Sequence, residues 1–201
     1  WIAWRESRCG PFKTEAYSPE REEQYKQTLQ VDEGSYLFRR EFTVKDKVAA
    51  ATLAVCGLGY YEAFLNGQRV GAERVLSPVV SDYYRLDTYE VDGLLHEGRN
   101  VLAVEICGGW FAPKPKYWGW RQSFYGNPRM IAKLAVTCRD GQQSAVVSDT
   151  AWLARPGWVV SSDIYDGESV DFSRVPADWA QPGCGRGGWS AAVLAEAPTE
   201  N

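Results

Sequence analysis

The sequence predicts an all-β protein, a sandwich of two antiparallel sheets of the jelly-roll type. Three observations carry that expectation. About ten strand-like segments recur at roughly regular spacing. Tight-hairpin signals, Asn66-Gly67 and Asp140-Gly141, sit between such segments, and Asn-Gly tolerates the positive φ angles that a two-residue hairpin needs. No stretch carries the 3.6-residue periodicity of an amphipathic helix for more than a turn or two.

Taken in order, residues 1 to about 35 are polar and irregular; within them Lys13 to Glu33 is rich in Glu, Gln, Lys and Tyr and reads as a long surface loop or a short helix. Tyr36 to Val44 is the first clear strand. Ala50 to Val55 is the next, and Val55 to Gly71 continues it through a glycine-marked turn into Tyr61 to Leu65 and the Asn66-Gly67 hairpin. Tyr83 to Val91 is a polar and aromatic strand, Asp92 to Leu95 a short helical turn, and His96 to Asn100 a turn. Val101 to Cys107 is among the best strands in the chain. Gly108 to Asn127 is a long loop rich in Gly, Pro, Trp and Tyr. Met130 to Arg139 alternates apolar and polar positions and turns at Asp140-Gly141 into Gln143 to Ser148. Trp152 to Ala154, Trp158 to Ser161 and Ala191 to Ala195 complete the set. The expected organisation is an irregular segment over 1–35 packing on the sandwich, the β-sandwich domain over 36–196, and the start of a linker at 197–201.

Composition bounds the function. The 201 residues are 45% hydrophobic and 24% charged, as in a globular chain. The net charge of −4 gives nucleic acid or an anionic membrane no basic footprint, and no apolar run reaches the roughly 18 residues of a membrane helix. The chain opens on Trp1 and its one methionine is Met130, so a processed or excised piece of a longer polypeptide is expected. Cys9, Cys56, Cys107, Cys138 and Cys184 are widely spaced and His96 is the sole histidine, which argues against a zinc site. Cys56, Cys107 and Cys138 lie in or beside apolar strands and read as buried thiols. The odd cysteine count leans towards a reducing compartment, but the localisation stays open. Aromatic residues make up 13% of the chain, nine of them Trp; they either fill a large β core or offer rings for stacking on sugars.

The ordered set of segments resembles the N-terminal β-sandwich region of bacterial α-L-rhamnosidases, a glycoside hydrolase family. The matching pieces include Trp1-Ile2-Ala3, Leu37-Phe38-Arg39-Arg40-Glu41-Phe42, Gly57-Leu58-Gly59-Tyr60-Tyr61-Glu62 and Leu65-Asn66-Gly67-Gln68-Arg69-Val70-Gly71. They continue as Leu76-Ser77-Pro78, Ser81-Asp82-Tyr83, Tyr89 to Leu95, Gly98 to Leu102, Gly108-Gly109-Trp110, Ser148 to Trp152 and Ser162 to Glu168. The order of all the pieces is more specific than any one of them. Two departures stand out: Pro78-Val79-Val80-Ser81-Asp82-Tyr83 replaces the family's usual Pro-Gly-Trp-Thr-Asp-Tyr, and the stretch between Cys9 and Gly34 is longer and more polar than expected. The resemblance implies a galactose-binding-like sandwich that is an accessory domain. It also implies a separate barrel of paired helices further along the polypeptide, which supplies the acid and base for inverting hydrolysis.

Two clusters are the candidate sites. In the loop Gly108 to Asn127, the residues Trp110, Trp118, Trp120, Arg121, Tyr125 and Asn127 suit a carbohydrate-binding surface, with rings for stacking and polar groups for hydroxyls. The same loop also suits docking against the catalytic domain or folding back as a plug. Asp163, Tyr165, Asp166 and Glu168 form an acidic segment that reads either as a solvated turn or as part of the rim of the parent's catalytic pocket. The spacing does not match an EF-hand loop. No catalytic residue is assigned in the chain, and His96 is expected on the surface. No cofactor is required; the resemblance implies calcium as an option, with Asp82, Asp87 and Asn127 as the nearest oxygen ligands. The expected partners are a catalytic domain of the same polypeptide and a rhamnose-containing glycan. An independent calcium-assisted sugar-binding module and a purely structural scaffold are the alternatives.

Overall fold

The computed structural model describes residues 1–5, 34–71, 86–109, 111–112, 127–163 and 167–197, together with the backbone of 12–13 and 123–124. The strands in chain order are β1 (Ile2–Ala3), β2 (Phe12–Lys13), β3 (Tyr36–Val44), β4 (Val48–Leu58), β5 (Tyr60–Leu65), β6 (Gln68–Arg69), β7 (Asp87–Glu90) and β8 (Gly98–Cys107). They continue with β9 (Ser123–Phe124), β10 (Arg129–Cys138), β11 (Gln143–Val147), β12 (Leu153–Pro156), β13 (Val159–Asp163), β14 (Gly167–Val170), β15 (Ser190–Ala191) and β16 (Val193–Leu194). Two single 3-10 turns, Asp92–Leu94 and Phe172–Arg174, are the helical pieces among the described residues.

Two six-stranded antiparallel sheets form the sandwich. The first runs β16-β1-β10-β4-β7, with β11 sharing one edge of β10 with β1; the second runs β15-β12-β3-β8-β5-β6. Their long pairings are continuous, Arg129 to Thr137 against Leu58 to Ala50, and Tyr36 to Val44 against Ile106 to Gly98. Alternation explains which side chains meet between the sheets. Leu53, Val55, Met130, Ala132, Leu134 and Val136 project from the first sheet, and Phe38, Leu102, Val104, Ile106, Ala63 and Leu65 from the second, into one buried cluster. Trp152 is fully buried there, and its indole N–H donates to the Val147 carbonyl at 2.8 Å, so the ring's one polar atom is satisfied.

The hairpin Asn66-Gly67 has φ of 51° and 77°, the doubly positive pair that its sequence signalled. Asn100 is fully buried behind it and fully bonded. Its Oδ1 accepts from Asn66 Nδ2 at 2.8 Å and from the His96 amide at 3.1 Å, while its Nδ2 donates to the His96 and Gly98 carbonyls at 2.7 and 3.0 Å. His96 itself is exposed. Gly57 lies on the core face, where a Cβ would approach the Tyr61 ring to 2.8 Å; its missing side chain is what lets Tyr61 cross between the sheets.

The outer faces are also covered. On the second sheet, Leu37 and Ala103 pack under Trp179, Ala180, Trp158 and Trp189. Trp179 meets Trp158 and Phe64 edge to face, at centroid distances of 5.7 and 5.5 Å. On the first sheet, Cys56 and Leu58 pack with Phe111, Trp1 and Ile131. Trp158, Trp179 and Trp189 therefore lie outside the inter-sheet core and roof the second sheet, a role that strand periodicity does not announce.

The structure departs from these expectations at several places: Gly98–Asn100, read as part of a turn, opens β8, and Ser123–Phe124 within the 108–127 loop pairs with Phe12–Lys13. Residues 1–35 contain strand as well as irregular chain: Ile2–Ala3 pairs with both β10 and β16, closing one edge of the first sheet with the two ends of the chain. The flanks of the acidic segment are paired strands, β13 with β14, in which Ser162 faces Glu168 and Asp163 faces Gly167.

Candidate functional site

Of the loop candidates, Trp110, Trp118, Trp120, Arg121 and Tyr125 lie outside the described residues, and the two roots of the loop lie within them. At the first root, the amides of Phe111 and Ala112 both donate to the Gly108 carbonyl at 3.1 Å, a turn that folds Phe111 back onto the first sheet. Phe111 is 2% exposed and packs on Cys56 and Leu58. At the second root, Asn127 is buried where the chain re-enters β10.

Arg129 ties these roots together. It points to the outer face of the first sheet and is fully buried. Its Nε donates to the Asn127 carbonyl at 3.3 Å, its Nη1 donates to the Glu196 carbonyl at 3.1 Å, and its guanidinium lies 6.0 Å from the centre of the Phe111 ring. One side chain thus joins both ends of the aromatic loop to the C-terminal exit of the sandwich. The Ala195 amide donates to the Trp1 carbonyl at 3.1 Å beside it, so the first residue is stitched to the same corner.

The acidic segment lies on the other face. Asp163 is buried at the end of β13, and Glu168 is exposed on β14; Tyr165 and Asp166 lie outside the described residues. Glu168 acts electrostatically on a group that the sequence did not single out, Glu105 of β8. Glu105 stands directly across from Glu62 of β5 in the ladder. Its pKa is pushed up to about 7, by burial first and by the negative charges of Glu62 and Glu168, while a side-chain hydrogen bond with Ser35 opposes them. Its Oε1 is buried without a hydrogen-bond partner among the described residues. A lone charged residue in the apolar strand Val101 to Cys107 was the available signal; its burial is supplied only by the chain that folds over the sheet.

Burial and neighbouring carboxylates hold the thiols near these features protonated. Burial, aided by Asp87, pushes Cys56 up to about 11, and burial, aided by Glu105, Glu168 and Glu62, pushes Cys107 up to about 12. Cys107, Cys138 and Cys184 are free thiols, and Cys56 and Cys138 are buried.

Of the calcium candidates, Asp82 lies outside the described residues. Asp87 Oδ2 accepts the Tyr61 hydroxyl at 2.6 Å, with the Tyr89 hydroxyl 3.5 Å from that of Tyr61. Burial, with Asp87 as acceptor, holds the Tyr61 phenol far above its ordinary pKa. Asp87 and Asn127 lie on strands or strand ends either side of β4. Their oxygen donors are of the type calcium takes, while among the described residues no group of three or more His, Cys, Asp and Glu side chains is arranged to hold a metal ion.

Comparison with known proteins places this geometry. Residues 46–201 match the family described as the Alpha-L-rhamnosidase N-terminal domain. An alpha-L-rhamnosidase of Formosa agariphila is 30% identical over 202 residues, covering 96% of this chain and 21% of that protein. The crystal structure of the Streptomyces avermitilis alpha-L-rhamnosidase complexed with L-rhamnose superposes with a TM-score of 0.74 at 35% identity, covering 81% of this chain and 16% of that one. That of the alpha-L-rhamnosidase from Dictyoglumus thermophilum gives 0.76 at 25% identity, covering 98% of this chain and 21% of that one. The chain therefore spans about a fifth or less of these relatives. With its two-sheet sandwich and the ordered match of its sequence, it belongs to the family of α-L-rhamnosidase N-terminal domains.

Proposed function

We propose that the chain is a non-catalytic domain of an α-L-rhamnosidase-type glycoside hydrolase and that it supports a catalytic domain carried on the same polypeptide. The observation that carries this reading is the fraction of each relative the chain covers, 21% for the Formosa agariphila protein, which leaves most of such a protein to other domains. The carboxylates support it. Glycoside hydrolysis by the inverting route needs two carboxyl groups flanking an open cleft, with room for a water. The pair that the ladder brings together, Glu62 and Glu105, does not offer that: Glu62 Oε1 is held by Arg69 at 2.9 Å, and Glu105 Oε1 is sealed from solvent. The expected result is no release of chromophore when this 201-residue chain is incubated with an aryl α-L-rhamnoside. Turnover that tracks the purified chain overturns the proposal.

Sugar binding is the second reading. It is favoured by the Streptomyces avermitilis relative, a protein solved with L-rhamnose, and by the density of aromatic residues between Gly108 and Asn127. Calorimetric titration with L-rhamnose, in calcium and then in chelator, separates the cases. Heat that disappears with chelator makes the domain a calcium-assisted lectin-like module, and Asp87→Ala then abolishes it. An absence of heat at millimolar sugar leaves the supporting role alone.

A further inference from the structure

A cavity of about 290 Å³ opens on the outer side of the second sheet, where β3, the start of β8 and the start of β12 meet the loop 183–186. Its lining includes four arginines, Arg39, Arg40, Arg99 and Arg186, and one acidic residue, Glu41. That gathering stands out on a chain whose net charge is −4. Like charges drawn into one concave, partly dry site repel unless something negative joins them.

The internal ion pair does not balance the set. Glu41 Oε1 accepts Arg39 Nη2 at 2.6 Å and the Gly183 amide at 2.9 Å. Burial on its own raises the Glu41 pKa, but the Gly183 amide, Arg39 and the positive charge of Arg99 outweigh it and the pKa falls, so this carboxylate is ionised and already engaged. Arg39 is 2% exposed, and its end is fixed by further bonds to the Gln181 carbonyl at 3.0 Å and the Cys184 carbonyl at 3.3 Å. Its Nε is buried and has no hydrogen-bond partner among the described residues. Arg40 is held by the Ala151 carbonyl at 2.7 Å. Arg99 and Arg186 are exposed at the mouth, and Arg99 also acts electrostatically on Glu41. Two arginines held by backbone carbonyls and two exposed at the rim, set against the single carboxylate of Glu41, leave the cavity with an excess of positive charge.

We propose that this cavity binds an oxyanion carried on a sugar-sized group, a carboxylate or a sulfate ester of an acidic glycan. The guanidinium fork matches both oxyanions bidentately. The volume lies near the lower end of small-molecule pockets, about 300 Å³, and so suits one monosaccharide. The sugar half of this assignment rests on the proposed glycoside hydrolase role; the anion half rests on the arginines alone.

The test is titration of the 201-residue chain, in low-chloride buffer, with D-glucuronate, D-glucose 6-sulfate and D-glucose. The comparison is a double variant, Arg99→Ala with Arg186→Ala, at exposed positions whose loss leaves the fold intact by melting temperature. The expected result is saturable binding of the charged sugars and not of glucose, weakened about tenfold or more in the double variant, as loss of charge-assisted hydrogen bonds predicts. The tighter of the two ligands names carboxylate or sulfate as the source. Charged sugars that bind no better than glucose, or that bind the double variant equally well, overturn the site. Neither failure touches the rhamnoside turnover result, so the two proposals fall separately.

Discussion

Glu105 shows how one residue couples packing to pH. Its carboxyl stays protonated in the folded chain up to about pH 7, whereas in the unfolded chain it ionises near its ordinary value of 4.5. The folded state therefore holds the proton more tightly. The stability this gives is fully present below pH 4.5 and is lost as pH rises to about 7. The expected loss across that window is on the order of 2 kcal/mol, since a tenfold difference in proton affinity between the two states is worth about 1.4 kcal/mol before solvent and relaxation reduce it. Glu105→Gln keeps the shape and removes the titration. Urea denaturation of the variant is then expected to give nearly the same stability at pH 5 and pH 7.5, while the native sequence is weaker at the higher pH. Equal pH dependence in both proteins contradicts the burial argument. The sequence carries only the hint of a lone charge in an apolar strand; the burial and the neighbouring charges are not legible there. The groups that act on it, Ser35 and Glu168, are far from it in the chain and reach it only through the fold.

At the scale of elements, the strands with one apolar face were legible and the others were not. β10 has the burial pattern of alternating core and surface positions, and the sequence located it to within a residue. β14 exposes Gly167, Glu168 and Ser169 in succession, so it buries no face and leaves no period-two signal. It is held by the backbone ladder to β13, which only the folded chain reveals. The turn-to-turn bonding of Asn100 belongs to the same scale. Asn100→Ala removes four hydrogen bonds at one buried site and strands the partner groups of Asn66 and His96. The expected cost is about 2–4 kcal/mol in chemical denaturation, with Asn100→Asp intermediate because it retains the acceptor. A change within about 0.5 kcal/mol contradicts the view that this network fixes the Asn66-Gly67 hairpin to β8.

Arg129 bridges elements too, at the corner where the aromatic loop, β10 and the chain's C-terminal end meet. Arg129→Lys keeps one positive charge but not the two-directional fork to Asn127 and Glu196. The variant is expected to lose about 1–3 kcal/mol and to make the 108–127 segment more susceptible to limited proteolysis than in the native chain. Unchanged cleavage there means that the loop is rooted by other contacts.

For the whole molecule, the order of weak motifs carried more than any one of them. Leu65-Asn66-Gly67 alone is a hairpin, and Trp1 alone is an aromatic residue; their succession from Trp1 to Glu168 identified the family, which the match over 46–201 bears out. The sandwich followed from the same periodicity that sets strand registers. The arginine cavity and the covering of the outer faces did not, because they arise from residues brought together from β3, β8, β12 and the loops after β14. A sandwich that supports a catalytic domain on its own polypeptide is missed when it is removed. The first experiment is therefore to compare the proposed longer polypeptide with a version lacking these 201 residues, for aryl α-L-rhamnoside turnover and melting temperature together. Removal is expected to lower the melting temperature of the remainder and sharply reduce its turnover, while the isolated sandwich turns over nothing. A remainder that keeps both its full turnover and its melting temperature contradicts the supporting role.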